Sequence, residues 1–508
     1  MTTRRSLWKL FLLIIPFGVL YRSTAASQFS YDGVLYALDV EYGTTAQLFH
    51  PGHLLYSFLL KRLYQLVSLF GYSGRAIFLM QSANAWIGAL AVALFAVTLA
   101  RRFGTTRGFL VASLFGLSQV FWGESIDPGC YALTGLAAVC LLNVLLRARE
   151  SNAWRVGLLH GVLILIHQLL ILVIPAFWVA IRFGDPPRVR RGVHYTTGVL
   201  MGAGIPYACV AALFHPGPFS ERLFWFLIPA GTPTSMGVLD NSWWNWNGLA
   251  NVRPFCETFV QGFLAQVPWG TMAVGLLVIY LLAGSYRQFM KRSALCPDLA
   301  VSWMWVIPVG LFLFFFNHAI RFQVLLLPPV LCLLAALSTK FHFKGGAILS
   351  VAGLLLLGTV NYSRAIAPRR SGGVQQARIL WLRDRVSPND FLLFAGRGPH
   401  SLINVYAAYF LPQIPARSLY GYLLAQFGRS ETNLDPLTAG CEGAWSRGGR
   451  VWVEKDLLEP EVQKEAETQM KVAKGSVSRW FKKFKGVREV PGPDGYCLEE
   501  LKPAFQVR

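Results

Sequence analysis

Long apolar runs decide what this chain can become. They fall at 7–22, 76–99, 108–123, 131–146, 154–166, 168–182, 193–214, 263–284, 299–316, 320–337 and 345–361, eleven in all. A helix needs about 20 such residues to cross the hydrocarbon of a bilayer, and a soluble core has no room for so many. The pattern predicts an α-helical polytopic membrane protein with about 11 transmembrane helices. The pair at 154–166 and 168–182 can also be read as one long helix broken near His167.

Charge agrees with that class. Hydrophobic residues make up 54% of the 508 and charged residues 14%, and 47 Lys and Arg against 26 Asp and Glu give a net charge of +21. In a soluble protein such an excess would suggest nucleic acid. Here it gathers in short loops: Arg101, Arg102 and Arg107; Arg147, Arg149 and Arg155; Arg182 to Arg191; Arg287, Lys291 and Arg292; Lys340 and Lys344. Basic loops stay on the cytoplasmic side of a membrane, so a cytoplasmic N-terminus puts all five there and removes nucleic acid as a partner. The membrane is either a bacterial inner membrane or the endoplasmic reticulum. The opening stretch after the first span, the loop His215 to Gln261 and the tail from about Pro368 then lie on the exoplasmic face.

That layout requires the run Gly52 to Phe70 not to cross. Lys61 and Arg62 sit at its middle, where a span would bury both charges, whereas a helix lying in the interface lets them reach water. The first run, preceded by Arg4 and Arg5 and followed by Thr24-Ala25-Ala26, also has the layout of a cleaved secretory signal. We read it as a retained helix. The eight Cys show no metal or redox spacing; Cys441 and Cys497 could pair in an oxidising compartment, or stay free.

Composition changes near residue 368. "DFLLFAG" and "RVWVEKD" read as strands and "LEPEVQKEAETQMKVAKGSVSRWFKKF" as a charged helix, so two domains are expected: a transmembrane module at 1–367 and an exoplasmic soluble α/β domain at 368–508.

Acidic and histidine side chains gather just beyond the first span, in "FSYDGVLYALDVEYGTTAQLFHPGH", Phe29 to His53. Asp32-Gly33 followed by His50-Pro51-Gly52-His53-Leu54-Leu55-Tyr56 resembles the D-S-G-E and H-P-P-G-Y-P-L motifs of a protein O-mannosyltransferase-like branch (glycosyltransferase family 39 or DUF2723 type) of the GT-C membrane glycosyltransferases. The Ser and Glu of the first motif and one proline of the second are absent. "WGESIDPGCYALTGL", from Trp122, is similar to the superfamily's short outer loop with an acidic residue before Y-A-L, and offers Glu124 and Asp127. "IRFQVLLLPPVLCLLAAL", from Ile320, resembles its R-Y-x-x-P-x-x-P start of a late span, matched at Arg321, Phe322 and Pro328. The likeness covers roughly residues 1–340. It implies a GT-C catalytic module that takes a monosaccharide, mannose in that branch, from a polyprenyl-phosphate donor, with an essential Asp in the first exoplasmic loop.

The chemistry asks for the same parts. Glycosyl transfer from a lipid-linked sugar phosphate needs a base for the acceptor's proton and cationic or N–H groups for the departing phosphate. Asp32 is the expected base, and Arg321, His318 and His167 the expected phosphate-binding groups. Asp39, Glu41, His50, Glu124, Asp127, Trp243 and Trp244 are expected to meet acceptor or sugar. A single base and one displacement would invert the anomeric carbon, whereas retention would call for a carboxylate nucleophile.

No cofactor is firmly implied. His50 and His53 with Asp32 could hold a divalent cation, but hydrogen-bonding or capping roles are the favoured reading of both histidines. His160 and His167 are either satisfied core histidines or contacts to a lipid phosphate. "NSWWNWNGLANVRPF", Asn241 to Phe255, is either an interfacial aromatic belt or a sugar platform. It is similar to the W-W-D motif of oligosaccharyltransferases, but Asn245 stands where the acid belongs, which disfavours en bloc glycan transfer. The partners expected are the polyprenyl-phosphate sugar, a protein or lipid-linked glycan acceptor, and membrane lipid. The rival readings are a multispan lipid or solute transporter or flippase, which would bury charge at midplane in paired repeats, and a catalytically inert scaffold for the soluble tail.

Overall fold

The structure is a computed structural model describing residues 12–148, 151–182, 188–214, 217–218, 248–265, 270–291, 296–316, 320–338, 346–396, 402–424, 426 and 431–504. The chain forms two compact units. The first contains residues up to Ala26, Asp39–Gly231 and Val238–Pro368; the second joins Ser27–Leu38 to Arg369–Arg508.

Helices build the first unit. They are α1 (Ile14–Ser23), α2 (Tyr31–Tyr42, which begins in the second unit), α3 (Tyr56–Leu69), α4 (Ala76–Phe103), α5 (Thr105–Leu117), α6 (Gln119–Ser125), α7 (Tyr131–Leu145) and α8 (Ala153–Ile166). There follow α9 (Ile174–Arg182), α10 (Arg188–Val199), α11 (Ile205–Phe214), α12 (Gly248–Phe263), α13 (Gly270–Met290), α14 (Cys296–Phe315), α15 (Leu327–Leu337) and α16 (Gly346–Asn361). The apolar runs fall on helices. Among the described residues, α4, the continuous Arg188–Phe214 and Pro297–Phe315 are each long and apolar enough to cross a membrane. Short 3₁₀ turns interrupt other runs, as at Gln168–Val173 and Ile320–Leu325, whereas the π turn Leu200–Gly204 leaves Arg188–Phe214 continuous. Gly248–Phe263 is helical where an exoplasmic loop was expected to run as far as Gln261.

Two devices hold these helices. Glycines let α8 meet α10 backbone to backbone: a Cβ on Gly157 would strike the Tyr195 carbonyl, one on Gly198 the Trp154 carbonyl, and one on Gly202 the Leu158 carbonyl. Buried amides stitch helix ends. Asn361 accepts from Ala265 N–H at 3.0 Å and donates to Leu117 O at 2.8 Å and Phe263 O at 2.7 Å, tying α16 to the ends of α5 and α12. Each bond satisfies a backbone group that the end of a helix leaves unpaired, which apolar surroundings make costly.

The second unit is a five-stranded sheet with helices: α17 (Val374–Arg383), β1 (Phe391–Phe394), α18 (Leu402–Phe410), β2 (Ala416–Ser418), α19 (Leu419–Leu424), α20 (Asp435–Ser446), β3 (Val451–Glu454), α21 (Pro460–Gln469), α22 (Ser476–Phe481), β4 (Phe484–Pro491) and β5 (Cys497–Pro503). Strand order is β2-β1-β3-β5-β4, the first three parallel and the last two antiparallel. The run FLLF of β1 is buried at every residue, as a central parallel strand covered on both faces must be. Phe391, Leu393, Leu419, Val451, Val453 and Trp480 lie in its core. The single charged helix expected over 458–484 is two, α21 and α22. The chain breaks between them at Lys471 (φ 47°) and Gly475 (φ 75°), left-handed positions that no helix accommodates. Cys441 and Cys497 are both free thiols. Ser27–Leu38 joins this unit through backbone bonds from Ser27 and Gln28 to Arg369 O, and the Phe29 N–H donates to the Tyr406 hydroxyl at 2.7 Å.

Candidate functional site

A helix break makes the site in the first unit. α8 ends at His167, whose φ of −152° and ψ of 114° are extended, and the chain resumes as the tight turn Gln168–Val173. Such a break strands backbone groups, which apolar surroundings tolerate only if protein satisfies them. The turn His50-Pro51-Gly52-His53 does so. Leu55 N–H donates to Leu165 O, Gln168 N–H donates to Gly52 O, and His53 Nδ1 lies 3.3 Å from Ile166 O. Tyr207 in turn donates its hydroxyl to Pro51 O at 2.7 Å. The H-P-G-H motif is thus bolted into a broken helix.

Its hydrogen bonds fix the protons on three imidazoles. His53 faces a carbonyl with Nδ1, so Nδ1 carries the hydrogen and Nε2 a lone pair. His167 Nδ1 accepts from Leu169 N–H and His50 Nδ1 accepts from Gly52 N–H, each at 3.2 Å, so both carry hydrogen on Nε2. His167 Nε2 is buried and makes no hydrogen bond. Burial, then the neighbouring His167 and His50, hold the His53 pKa well below its ordinary value, and Arg321 pushes the same way. The contact with the Ile166 carbonyl pulls the other way but does not outweigh burial.

Rings and one guanidinium close the cluster. The His53 and His167 rings meet edge to face at 4.5 Å, Tyr131 at the start of α7 lies 5.9 Å from His53 and 5.8 Å from His167, and Phe322 stands 6.0 Å from His167. The Arg321 guanidinium carbon is 5.5 Å above the Tyr131 ring. The structure therefore brings Arg321, His167 and His50 together, and adds His53 and Tyr131, whose part the sequence did not disclose. The Y-A-L tyrosine, aligned by its neighbours, was the available signal.

The other expected residues have different settings. Asp32 is half-buried in the first turn of α2. Asp39 lies seven residues on and so on the same helical face, whereas Glu41 points to the opposite one. Glu41 bridges Arg75 at 2.6 Å and accepts Ala76 N–H at 3.0 Å, capping α4. Burial lifts the Asp39 pKa from 3.8 to about 7, with Lys61 pulling it back. Lys61, on α3, donates to Gly43 O at 2.8 Å. Asp127 is fully buried and accepts Gly129 N–H at 3.2 Å, inside a loop whose carbonyls receive Asn84 Nδ2 and the Tyr56 hydroxyl. That is a fixed turn. Glu124 lies half-buried on α6. His160 is a satisfied core histidine, bonded to Tyr195 and to Leu170 O. His318, Trp243 and Trp244 lie outside the described residues. Among the described residues no group of three His, Cys, Asp or Glu is placed to hold a metal ion.

No protein-family model matches this chain, and no curated protein matches it. Solved structures do. ArnT from Cupriavidus metallidurans bound to undecaprenyl phosphate superposes with a TM-score of 0.58 at 11% identity, covering 97% of this chain and 98% of that one. The oligosaccharyltransferase of Archaeoglobus fulgidus in complex with Zn and sulfate gives 0.54 at 14%, covering 97% and 72%. The same enzyme tethered to an acceptor peptide with the NVT sequon gives 0.54 at 12%, covering 100% and 75%. At these identities the likeness is one of fold.

Proposed function

We propose that this chain is an integral membrane glycosyltransferase that moves one monosaccharide from a polyprenyl-phosphate donor to an acceptor hydroxyl on the exoplasmic face. The observation that carries the reading is the cluster at the helix break. The Arg321 guanidinium and the buried His167 Nε2–H, which has no hydrogen-bond partner among the described residues, both lie beside the Tyr131 ring, and together they are the donor set that a phosphate leaving group needs. The fold supports it, since one structure of that fold carries undecaprenyl phosphate and another an acceptor peptide.

In this reading the acceptor is a protein hydroxyl or a lipid-linked glycan, and the sugar is mannose, as the motifs around Asp32 and His50 imply. Asp32 takes the proton of the acceptor hydroxyl. The oxygen attacks the anomeric carbon, the bond from that carbon to the phosphate oxygen breaks, and the electron pair leaves on the phosphate. Arg321 and His167 Nε2–H stabilise that charge, with His318 expected beside them. A single displacement inverts the centre, turning a β-linked donor into an α-linked product. Asp39, on the Asp32 face of α2, and His50 orient the acceptor side.

Transfer of radiolabel from polyprenyl-phosphate mannose to endogenous acceptors tests this with purified protein and two variants. Asp32→Asn is expected to lower transfer by about a hundredfold to ten-thousandfold, and Arg321→Ala by about a hundredfold or more, each with normal yield of folded protein. Wild-type turnover by Asp32→Asn would remove Asp32 from the mechanism. Failure of the intact protein with every polyprenyl-phosphate sugar would put the transporter reading ahead.

A further inference from the structure

The second unit has a polar edge of its own. From β1 the chain passes through α18 to β2 on one side, then returns through α19 and α20 to β3 on the other. Winding therefore reverses between β1 and β3, and the crevice outside the carboxyl ends of parallel strands at such a reversal is where open α/β sheets take small ligands.

At that edge the described side chains are polar and incompletely satisfied. Glu454, ending β3, accepts the N–H of Ala395, just beyond β1. Burial raises its pKa, while that bond and then the Arg378 charge lower it. The Arg378 guanidinium, on α17, stands 4.7 Å over the Tyr496 ring, and Trp381, one turn on, meets Tyr496 edge to face at 5.8 Å. Past the end of β1, Gly396 adopts φ 60°, and a Cβ there would collide with Ser418 Oγ and Asn404 Nδ2. Arg378 Nε, Gln375 Oε1 and Asn404 Oδ1 are buried and make no hydrogen bond. An orphaned buried donor or acceptor is costly, so its retention calls for a partner.

We propose that this edge binds a saccharide. A hydroxyl both donates and accepts, which suits one unmatched donor, Arg378 Nε, beside two unmatched acceptors, Gln375 Oε1 and Asn404 Oδ1. Half-buried Trp381 offers aromatic surface for the apolar side of a pyranose, and buried Tyr496 backs it edge to face. The carboxylate of Glu454 offsets the charge of Arg378, so the edge favours a neutral ligand over an anion. Ser27–Leu38, the segment that carries Asp32, belongs to the same unit. The role of the bound sugar, as acceptor in preference to a protein hydroxyl, rests on the proposed function; the binding does not.

The test is saturation-transfer NMR on full-length protein in nanodiscs, with methyl α-mannopyranoside and mannobiose as separate probes. A saturable signal is expected, weakened about tenfold or more, the equivalent of one lost hydrogen bond, in both Asn404→Leu and Arg378→Met. Replacing a side chain whose buried carbonyl oxygen has no partner by an apolar one of the same shape removes an unsatisfied acceptor, so Asn404→Leu should keep its melting temperature. Absence of saturable signal from both probes with the intact protein overturns the site, as does a signal that both variants retain. Binding without transfer activity in the radiolabel assay would uphold this site and sink the glycosyltransferase reading; transfer with no saccharide binding would do the reverse.

Discussion

Asp39 shows how one buried carboxyl makes stability depend on pH. Its unfolded pKa is near 3.8 and its folded value about 7, so between those values the folded state holds the proton more tightly. The contribution of its neutral form is fully present at acid pH, declines as pH rises through that window, and is lost above it. At 1.36 kcal/mol per pH unit the difference amounts to at most about 4 kcal/mol. Asp39→Asn cannot ionise and should escape the decline. Apparent melting temperatures in detergent should fall for the native protein relative to Asp39→Asn between pH 4 and pH 7 and run parallel above that; parallel curves throughout would mean that Asp39 titrates normally. At the same scale, the protons on His50, His53 and His167 were beyond reach of the sequence. Which nitrogen carries hydrogen depends on a backbone partner, and two of those partners, Gly52 and Leu169, are local while the third, Ile166, is far along the chain.

Between elements, the α8 to α10 contact is the one most dependent on missing side chains. Gly157 and Gly161 on α8, and Gly198 and Gly202 on and just after α10, each stand four residues apart and face backbone across the contact. This small-xxx-small spacing was readable in the sequence and is the signal that pairs those two helices. A Cβ at Gly157 cannot be relieved by a rotamer, because the atom it meets is the Tyr195 carbonyl oxygen. Gly157→Leu should therefore force the helices apart, costing about 1–3 kcal/mol or more by overpacking. It should also loosen the His160 to Tyr195 bond beside the break. The check is thermal stability in detergent alongside Gly275→Leu, where a Cβ meets nothing within 4 Å. Equal effects of the two changes would refute close packing as the cause. The break itself could be suspected from the pair of short apolar runs around His167, but not its repair by His50 to His53, since that repair joins segments more than a hundred residues apart.

For the whole molecule, the basic loops predict that the N-terminus is cytoplasmic and the Arg369–Arg508 unit exoplasmic. In a cysteine-free background, a cysteine at Glu461 should react with an impermeant maleimide from the exoplasmic side only, and one at Arg107 from the cytoplasmic side only; the reverse pattern would overturn the orientation. The sequence by itself determined the class: apolar runs this long have no home outside a bilayer, and loops this basic orient them. It also disclosed β1 and β3, whose apolar runs are short and flanked by turn residues, and it flagged Asp32, His50 and Arg321 because they are polar residues bordering apolar spans. Tertiary structure alone decided the rest. Eleven apolar runs became helices of unequal length because breaks are tolerated wherever a neighbour supplies the missing hydrogen bonds, and composition does not record neighbours. Glu41 caps a helix and Asp127 braces a turn, while His53 and Tyr131 join His167 at the helix break. A side chain's role follows from what stands opposite it, and long-range chain contacts fix that.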